Sequence, residues 1–173
     1  GVTTFSLRHD IDTGSIIFQE KEPILENDDA GTLHERLMRK GAALVLRTVQ
    51  AIESENYPST PQPANIDVTH APKIFKETCQ IQWDQTSEQI RNFVRGLSPH
   101  PTAWTIIGGK IFKIYKTTIT DRKETAKKTG EFTTDNKNYL YFKTRDGWIG
   151  VDELQPEGKK RMTIRDFFMG NKL

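Results

Sequence analysis

The sequence of 173 residues contains almost no cysteine and no long apolar run. Cys79 is the only cysteine, and no motif surrounds it, so a disulfide framework is excluded and we interpret Cys79 as an ordinary half-buried thiol. No segment approaches the roughly 18 consecutive apolar residues that a membrane-spanning helix needs. We therefore expect a protein of a reducing compartment, the cytoplasm, with no membrane partner.

A second carboxylate motif is also lacking, because Asp-Thr-Gly occurs once, in the segment "HDIDTGS" at 9–15. An aspartic protease needs two such aspartates sharing a proton, so this chain would have to dimerise. Small dimeric proteases are nearly all β, whereas a long helical pattern follows here. We also expect no metal site at His9, Asp10 and Asp12, because adjacent residues of an extended segment point to opposite faces.

The charge is distributed unevenly along the chain. Residues 1–84 hold 8 basic and 13 acidic residues, and residues 85–173 hold 17 basic and 10 acidic residues. A basic half is typical of a module that meets a polyanion, although basic surface can also serve solubility alone. The chain starts at Gly1 in a strand-like segment, and we expect it to be a piece of a longer protein.

The first third of the chain predicts two strands and a helix. "GVTTFSL" and "SIIFQEKEPI" are rich in β-branched and aromatic residues, and a polar loop with Asp12 joins them. Residues 29–53 have the spacing of an amphipathic helix, with a capping box at Thr32 and Glu35. Its predicted apolar stripe is Leu33, Leu37, Leu44, Val45, Val49 and Ile52. We interpret the opposite basic face, Arg36, Arg39, Lys40 and Arg47, as solvated.

The rest of the chain predicts a linker, a short helix and a small β domain. Four prolines in residues 56–72 indicate an extended linker. Residues 86–97 predict a helix with a capping box at Thr86 and Gln89. From residue 101 the pattern is β: a hairpin with a Gly108-Gly109 turn, a short strand near 132, a second hairpin and a final amphipathic turn, "TIRDFF". Such short strands favour a small barrel, of which the five-stranded OB type is one.

Taken in order, several segments resemble methionyl-tRNA formyltransferase. They are "D-I-D-T-G", "EKEPI", "GTLHERLMRKGA", the Pro-rich linker, "APKIFKE", "IQW", "IRNFVRGLSPHPTAW" and "LQPEGKKRM". The resemblance implies an α+β, multidomain chain. Residues 1–55 would be the remnant of a Rossmann-like formyltransferase domain (a strand pair plus a helix), residues 56–79 an extended linker, and residues 80–173 an OB-like tRNA-binding domain.

The resemblance implies transfer of a formyl group from 10-formyltetrahydrofolate to the methionyl amine of initiator tRNA. The Asp of the family's "(I/L)-D-T-G" corresponds to Asp12, whose carboxylate would hold and charge a catalytic His and assist proton transfer. Ile11, Thr13 and Gly14 would shape the loop around the folate. The family's catalytic Asn and His do not appear in this sequence, so we expect this chain alone to be inactive. From the residue type alone, an Asx-turn residue is the favoured interpretation of Asp12, and the resemblance reverses that preference.

The basic residues supply candidate tRNA contacts of the phosphate-binding kind. Lys110, Lys113 and Lys116 are predicted to share one face of a strand, and Lys159, Lys160 and Arg161 form a cluster. At the end of the linker, Lys73 and Lys76 resemble the family's basic linker segment. We interpret Trp104 and Trp148 as core residues rather than stacking platforms. The complete enzyme is expected to be a monomer without a metal.

Two other interpretations remain open at the level of the sequence. One is another folate-dependent enzyme with the same two domains, such as a sugar-nucleotide formyltransferase or the N-terminal part of formyltetrahydrofolate dehydrogenase. The other is a non-catalytic RNA-binding module. The basic C-terminal half and "QPEGKKRM" favour the tRNA enzyme.

Overall fold

The computed structural model describes residues 1–63, 69–123 and 126–173. The chain divides into two compact units, Gly1–Pro72 and Lys73–Leu173. Part of the predicted linker, residues 64–68, lies outside the described residues, as do residues 124 and 125 of the polar loop before the short strand. Within the described ranges, every helix is too short or too polar to cross a membrane.

The first unit contains two antiparallel strands and one long helix. Strand β1 (Val2–Phe5) pairs with strand β2 (Ile16–Glu20), with a shift of register between Thr4 and Phe5. Helix α1 spans Ala30–Glu53 and packs against both strands. The predicted strand–loop–strand–helix order is therefore confirmed.

Helix α1 begins one turn earlier than the predicted capping box. Asp29 is the N-cap: its side chain accepts the Thr32 backbone N–H at 2.8 Å, and the Asp29 backbone N–H donates to Thr32 Oγ1 at 3.1 Å. The prediction that Thr32 caps the helix with Glu35 is wrong, because Asp29 is three residues earlier and has the same capping chemistry.

The buried face of α1 is narrower than the predicted stripe. Leu44 and Thr48 are buried against the strands, and Thr48 Oγ1 contacts Thr4 Oγ1 at 2.9 Å. The prediction is wrong for the second half of the stripe, whose members Val45, Val49 and Ile52 are 54%, 56% and 46% exposed. A two-stranded sheet covers only one side of a helix that is apolar on two sides.

The basic face of α1 is not simply solvated. Arg36 Nε donates to Glu22 Oε1 at 2.7 Å, and its terminal nitrogens bind both carboxylate oxygens of Asp28. Lys40 Nζ lies 3.0 Å from the same Glu22 side chain, and the Arg47 guanidinium lies 4.0 Å from the Phe18 ring centroid. The contacts of Arg36 and Lys40 tie the helix to the segment that follows β2, and the prediction of a solvated face is wrong for these two residues, whereas Arg47 is exposed.

The second unit is a curled antiparallel sheet with two helices. Its strands are β3 (Ala103–Ile107), β4 (Lys110–Thr120), β5 (Phe132–Thr134), β6 (Leu140–Lys143), β7 (Trp148–Pro156) and β8 (Met162–Thr163). Their order is β3-β4-β7-β6-β5, with β8 beside β7. A 3₁₀ turn (Glu77–Cys79) and helix α2 (Ser87–Leu97) precede the sheet, and helix α3 (Ile164–Gly170) follows it.

The predicted elements of this unit are confirmed at their expected places. Thr86 and Gln89 form the capping box of α2. The β3–β4 hairpin turns at Gly108 and Gly109, whose φ angles of 57° and 77° are the left-handed values that glycine adopts without strain. Cys79 is fully buried rather than half-buried.

The core of the second unit joins α2 and α3 to the sheet. Ile90 and Val94 of α2 and Phe167 of α3 belong to one buried cluster with the inward residues of β4 and β7. Trp148 is fully buried, as predicted. Trp104 is half-buried, and its indole N–H donates to the Lys76 carbonyl at 2.8 Å.

Candidate functional site

The loop at residues 6–15, here called the Asp12 loop, connects β1 to β2 and projects into solvent. Asp12 has a φ of 58°, a left-handed value that aspartate tolerates better than most residues. Ile11 is 88% exposed, and the Asp12 and Thr13 side chains are exposed as well. Inside the loop, Thr13 Oγ1 donates to the Asp10 carbonyl at 2.9 Å. The tip of the loop is thus ordered by a local hydrogen bond while its side chains face outward.

Gly14 fits the base of the Asp12 loop because it has no side chain. A Cβ atom at this position would lie 1.5 Å from the Ser6 carbonyl oxygen. The two arms of the loop are joined there by the Ser6 backbone N–H, which donates to the Ser15 carbonyl at 3.0 Å. Glycine therefore permits the close backbone approach that closes the loop.

Gln62 stabilises the Asp12 loop from outside, and the sequence analysis missed it. Its side-chain amide donates to the carbonyls of Asp12 and Gly14, both at 2.8 Å. Nearby, the backbone of Thr60 pairs with Ile16 through hydrogen bonds of 2.8 and 3.0 Å. Gln62 lies in the Pro-rich segment, where no periodicity indicates which side chain returns to the first strands.

The Asp12 carboxylate is available to a ligand. Among the residues that the structure describes, no group lies within hydrogen-bonding distance of this carboxylate, although its own carbonyl binds Gln62. An Asx turn would need a bond from the carboxylate to a backbone N–H two residues on, so the geometry gives that interpretation no support. In the same described ranges, His9, Asp10 and Asp12 belong to no group arranged to hold a metal ion.

In the second unit, two of the predicted tRNA-binding lysines share a face because the strand is irregular. Lys113 pairs with Gln155, and Lys116 pairs with Glu153, with Tyr115 unpaired at the register shift between Ile114 and Lys116. A separation of three residues would place Lys113 and Lys116 on opposite faces of a regular strand. The extra residue at Tyr115 forms a β-bulge that returns Lys116 to the outward side.

Arg161 completes an outward cationic face, defined here as Lys113, Lys116 and Arg161. Its guanidinium lies 4.4 Å from the Tyr115 ring centroid and forms an ion pair with Glu153 at 2.7 Å. The Tyr115 hydroxyl contacts Gln155 Oε1 at 2.7 Å. Arg161 is therefore held in place beside the lysines, which are exposed.

The prediction that Lys110 shares the face of Lys113 is wrong. Lys110 pairs with the buried Ile107 and is two residues from the buried Phe112, so its side chain belongs to the inward side of β4. Lys110 and Lys159 instead line a cavity with a volume of about 350 Å³. Lys160 is exposed in the turn before β8.

The candidate tRNA-binding residues Lys73 and Lys76, at the start of the second unit, are distant in sequence from the other basic candidates. Lys73 is exposed, and its ammonium lies 5.5 Å from the Phe75 ring centroid. Lys76 is also exposed, while its carbonyl accepts the Trp104 indole. The structure leaves both ammonium groups accessible to an anion.

Comparison with solved structures finds folds similar to that of this chain. A structure of HypX from Aquifex aeolicus in complex with tetrahydrofolic acid is similar at a TM-score of 0.64 and 18% identity, over 98% of this chain and 30% of that one. An N-formyltransferase from Helicobacter canadensis, in complex with folinic acid and dTDP-3-aminofucose, is similar at a TM-score of 0.58 and 24% identity, over 89% of this chain and 54% of that one. These likenesses show a fold of the formyltransferase type.

The sequence comparisons are more specific than the fold. Residues 73–172 match the family model described as "Formyl transferase, C-terminal domain". Methionyl-tRNA formyltransferase of Azobacteroides pseudotrichonymphae genomovar. CFP2 is 44% identical over 184 residues, which cover 99% of this chain and 56% of the relative. The chain belongs to the formyl transferase family, because the C-terminal-domain model covers more than half of it, and it spans about half the length of the curated relatives that it matches.

Proposed function

We propose that this chain contributes to the transfer of a formyl group from 10-formyltetrahydrofolate to the methionyl amine of initiator tRNA. The observation that carries the proposal is 44% identity to a methionyl-tRNA formyltransferase over 99% of the chain. The exposed Asp12 carboxylate and the outward cationic face give the two units separate chemistry suited to this reaction. The proposal places the complete enzyme in the cytoplasm as a monomer.

In this proposal the domains of the chain are those of methionyl-tRNA formyltransferases. Residues 1–55 are the last part of a Rossmann-like formyltransferase domain, residues 56–79 are an extended linker, and residues 80–173 form an OB-like tRNA-binding domain. The antiparallel, curled sheet with β8 beside β7 supports the last assignment. The pairing of β1 with β2 against α1 supports the first.

The proposed role of Asp12 is to orient a neighbouring imidazole and to assist the departure of the amine proton. A carboxylate without a protein partner can accept such a hydrogen bond, and the Asp12 loop holds it at a defined place through Gln62. An imidazole held in this way stabilises an oxyanion in a dry site, an effect on the order of 10²–10³-fold in rate for one group.

The proposed folate contacts come from the same loop. 10-Formyltetrahydrofolate would supply the activated formyl group when it is bound, and tetrahydrofolate would be left after the transfer. Ile11 and Thr13 present an apolar and a hydroxyl side chain to the outside of the loop, and Gly14 keeps the backbone close to Ser6. This combination of an exposed apolar side chain with polar groups suits one wall of a pocket for a ring with amide-like edges.

The proposed tRNA contacts are phosphate contacts. They comprise Lys113, Lys116, Arg161 and Lys160, the residues Lys110 and Lys159 at the cavity, and Lys73 and Lys76 at the start of the second unit. Ammonium and guanidinium groups on an exposed surface supply affinity that depends on salt and carries little sequence information.

The experiment that tests the proposal is the substitution Asp12→Asn in a complete enzyme, as long as the curated relatives, that contains this chain. We expect kcat for formylation of methionyl-tRNA to fall by about 10²–10³-fold, because the amide cannot hold a charged imidazole. Asp10→Asn, in the same loop, is the matched control and should change kcat by less than about twofold. Full turnover by the Asp12 variant, with unchanged folding by circular dichroism, would contradict the proposed role.

A second candidate is formylation of a nucleotide sugar, which the likeness to the Helicobacter canadensis enzyme keeps open. A competition assay separates the two functions. If the proposal is right, initiator tRNA binds and a dTDP-amino sugar does not displace it. Formylation of the sugar in preference to methionyl-tRNA would make the second candidate the function.

A further inference from the structure

A cavity in the second unit combines phenylalanine rings with lysines. It has a volume of about 350 Å³, and the end of the β3–β4 hairpin, the end of β7, β5 and helix α3 surround it. Phe112, Phe132 and Phe167 contribute to its lining. Phe112 and Phe167 are buried core residues held edge to face at a centroid distance of 5.7 Å, and Phe132 is the partly exposed ring of the three. This volume lies in the usual range for a small-molecule site.

The rim of this phenylalanine cavity is cationic. Lys110, Lys159 and Lys172 line it, together with one acidic side chain, Glu157. In the described part of the chain, no carboxylate lies within ion-pair distance of these three ammonium groups, in contrast to Arg161, which binds Glu153. The three side chains are therefore available to an anion at the edge of an aromatic pocket.

We propose that the phenylalanine cavity binds a nucleotide, with the base against the Phe132 ring and the phosphate at the lysines. Aromatic rings stack on any of the nucleobases, and ammonium groups form charge-assisted hydrogen bonds with a phosphate. A purely apolar ligand would leave the lysines without a partner, and a simple anion would make no use of the rings. The nucleotide comes either from an unstacked end of a bound RNA or from a free mononucleotide.

This inference separates the basic residues of the unit into two sites. Lys110 and Lys159 belong to the cavity, while the outward cationic face of Lys113, Lys116 and Arg161 binds phosphates alone. The RNA source of the nucleotide depends on the proposed function, whereas the site itself does not. Binding to the two sites can therefore be measured separately.

The first test is calorimetric titration of the full 173-residue chain with AMP, adenosine and ribose 5-phosphate. We expect AMP to bind at least about tenfold more tightly than either part, because each part occupies only half of the site. Lys110→Glu should weaken AMP binding at least about tenfold. Lys127→Glu makes the same change of net charge at a partly exposed residue that does not line the cavity, and it should leave AMP binding unchanged.

Phe132→Leu tests the aromatic part while keeping an apolar side chain. We expect weaker binding of AMP and unchanged binding of ribose 5-phosphate, with the fold verified by the NMR spectrum. If this variant does not fold, Lys110→Glu and the comparison of AMP with adenosine still decide the question. Absence of AMP binding, or equal binding of AMP by the Lys110 and Lys127 variants, overturns the inference.

A short single-stranded RNA distinguishes the two sources. Displacement of AMP by the RNA, with loss of this effect in Lys110→Glu, identifies an RNA nucleotide as the ligand. Binding of AMP without displacement identifies a free mononucleotide. Initiator tRNA that binds to a chain without AMP affinity overturns this inference alone, and AMP that binds to a chain without tRNA affinity overturns only the proposed function.

Discussion

Gly14 shows how the absence of one side chain determines the conformation of the Asp12 loop. The backbone of Ser6 occupies the space where a Cβ atom would be, at 1.5 Å, so no rotation of a side chain can relieve the contact. The sequence motif Asp-Thr-Gly indicates a turn, but it does not indicate which residue approaches the glycine. The contact with Ser6 and the bonds from Gln62 depend on how the chain returns to the loop, and no local pattern encodes that return.

We expect Gly14→Ala to destabilise the first unit by about 1–3 kcal/mol, because two backbone segments must separate. Gly41→Ala is the matched control. A Cβ at Gly41 would meet only Val2 Cγ1 at 3.8 Å, and the position lies inside α1, so alanine should stabilise the unit by about 0.5–1 kcal/mol. Urea titrations followed by NMR resonances of α1 measure both changes. Effects of the same sign in the two variants would contradict the structural explanation.

Asp28 makes the first unit sensitive to acid. The hydrogen bonds from Arg36, followed by the Leu25 backbone N–H, lower the pKa of Asp28 far below its ordinary value, and those from Arg36 and Lys40 lower the pKa of Glu22. A carboxyl group whose pKa is lowered by folding stabilises the folded state above its ordinary pKa, and this stabilisation is lost as the pH falls below about 4.

We therefore expect Asp28→Asn to be less stable than the parent at neutral pH and to lose less stability between about pH 5 and about pH 3. Lys40→Met leaves the contact between Arg36 and Asp28 in place and should keep most of the steep acid dependence. The same urea titrations, repeated over pH, give the free energies. Parallel curves for the parent and Asp28→Asn would show that this carboxylate does not cause the acid sensitivity.

At the scale of elements, periodicity predicted where the helices and hairpins lie but not which side of α1 is buried. The stripe containing Val45 and Val49 is as apolar as the stripe containing Leu44, so the sequence alone cannot rank them. The strands β1 and β2 cover only the stripe that contains Leu44. In β4, alternation puts residues three apart on opposite faces, so Lys110 lies on the inward side, and only the bulge at Tyr115 brings Lys116 to the face of Lys113.

The N-terminus of α2 is attached to the β6–β7 hairpin by Asp146. One oxygen of this carboxylate accepts the Ser87 backbone N–H at 2.8 Å, the Ser87 hydroxyl at 3.0 Å and the Thr144 hydroxyl at 3.1 Å. These hydrogen bonds lower the pKa of Asp146, and the largest contribution comes from the Ser87 backbone N–H. The carboxylate also lies where the positive end of a helix dipole favours an anion.

We expect Asp146→Ala to destabilise the second unit by about 1–2 kcal/mol, since the Ser87 backbone N–H and two hydroxyls lose their acceptor. Asp84→Ala removes an exposed carboxylate without a hydrogen bond in the described part of the chain and should change the stability by less than about 0.5 kcal/mol. Urea unfolding followed by tryptophan fluorescence measures this unit, because Trp83, Trp104 and Trp148 all lie in it. Equal stabilities of the two variants would refute the proposed attachment.

At the scale of the whole molecule, the two units differ in charge as well as in fold. Residues 1–72 contain 6 basic and 11 acidic residues, and residues 73–173 contain 19 basic and 12 acidic residues. The net charge is therefore negative in the first compact unit and positive in the second. Under the proposed function, the second unit supplies the affinity for tRNA and the first supplies the carboxylate of the reaction.

We expect the affinity for initiator tRNA to fall steeply with salt, with a slope of about −0.7 to −0.9 in log–log form for each phosphate contact. Lys113→Glu and Lys116→Glu should each reduce the magnitude of the slope by about one, because each removes one contact. Lys21→Glu makes the same change of charge in the acidic unit and should leave the slope unchanged. Filter binding over a range of salt concentrations measures these slopes, and a slope that no lysine of the face alters would place the tRNA elsewhere.

The bulge at Tyr115 has a counterpart on the facing strand, and the two together constrain how this sheet tolerates changes in chain length. After Lys116 pairs with Glu153, Thr117 pairs with Val151, so Asp152 is the extra residue on β7 as Tyr115 is on β4. Because each strand has one extra residue, the two insertions offset each other and the pairing continues in register after them. A relative that lost one of these residues would shift every later β4–β7 pair by one position, and only the loss of both would keep the two strands in register.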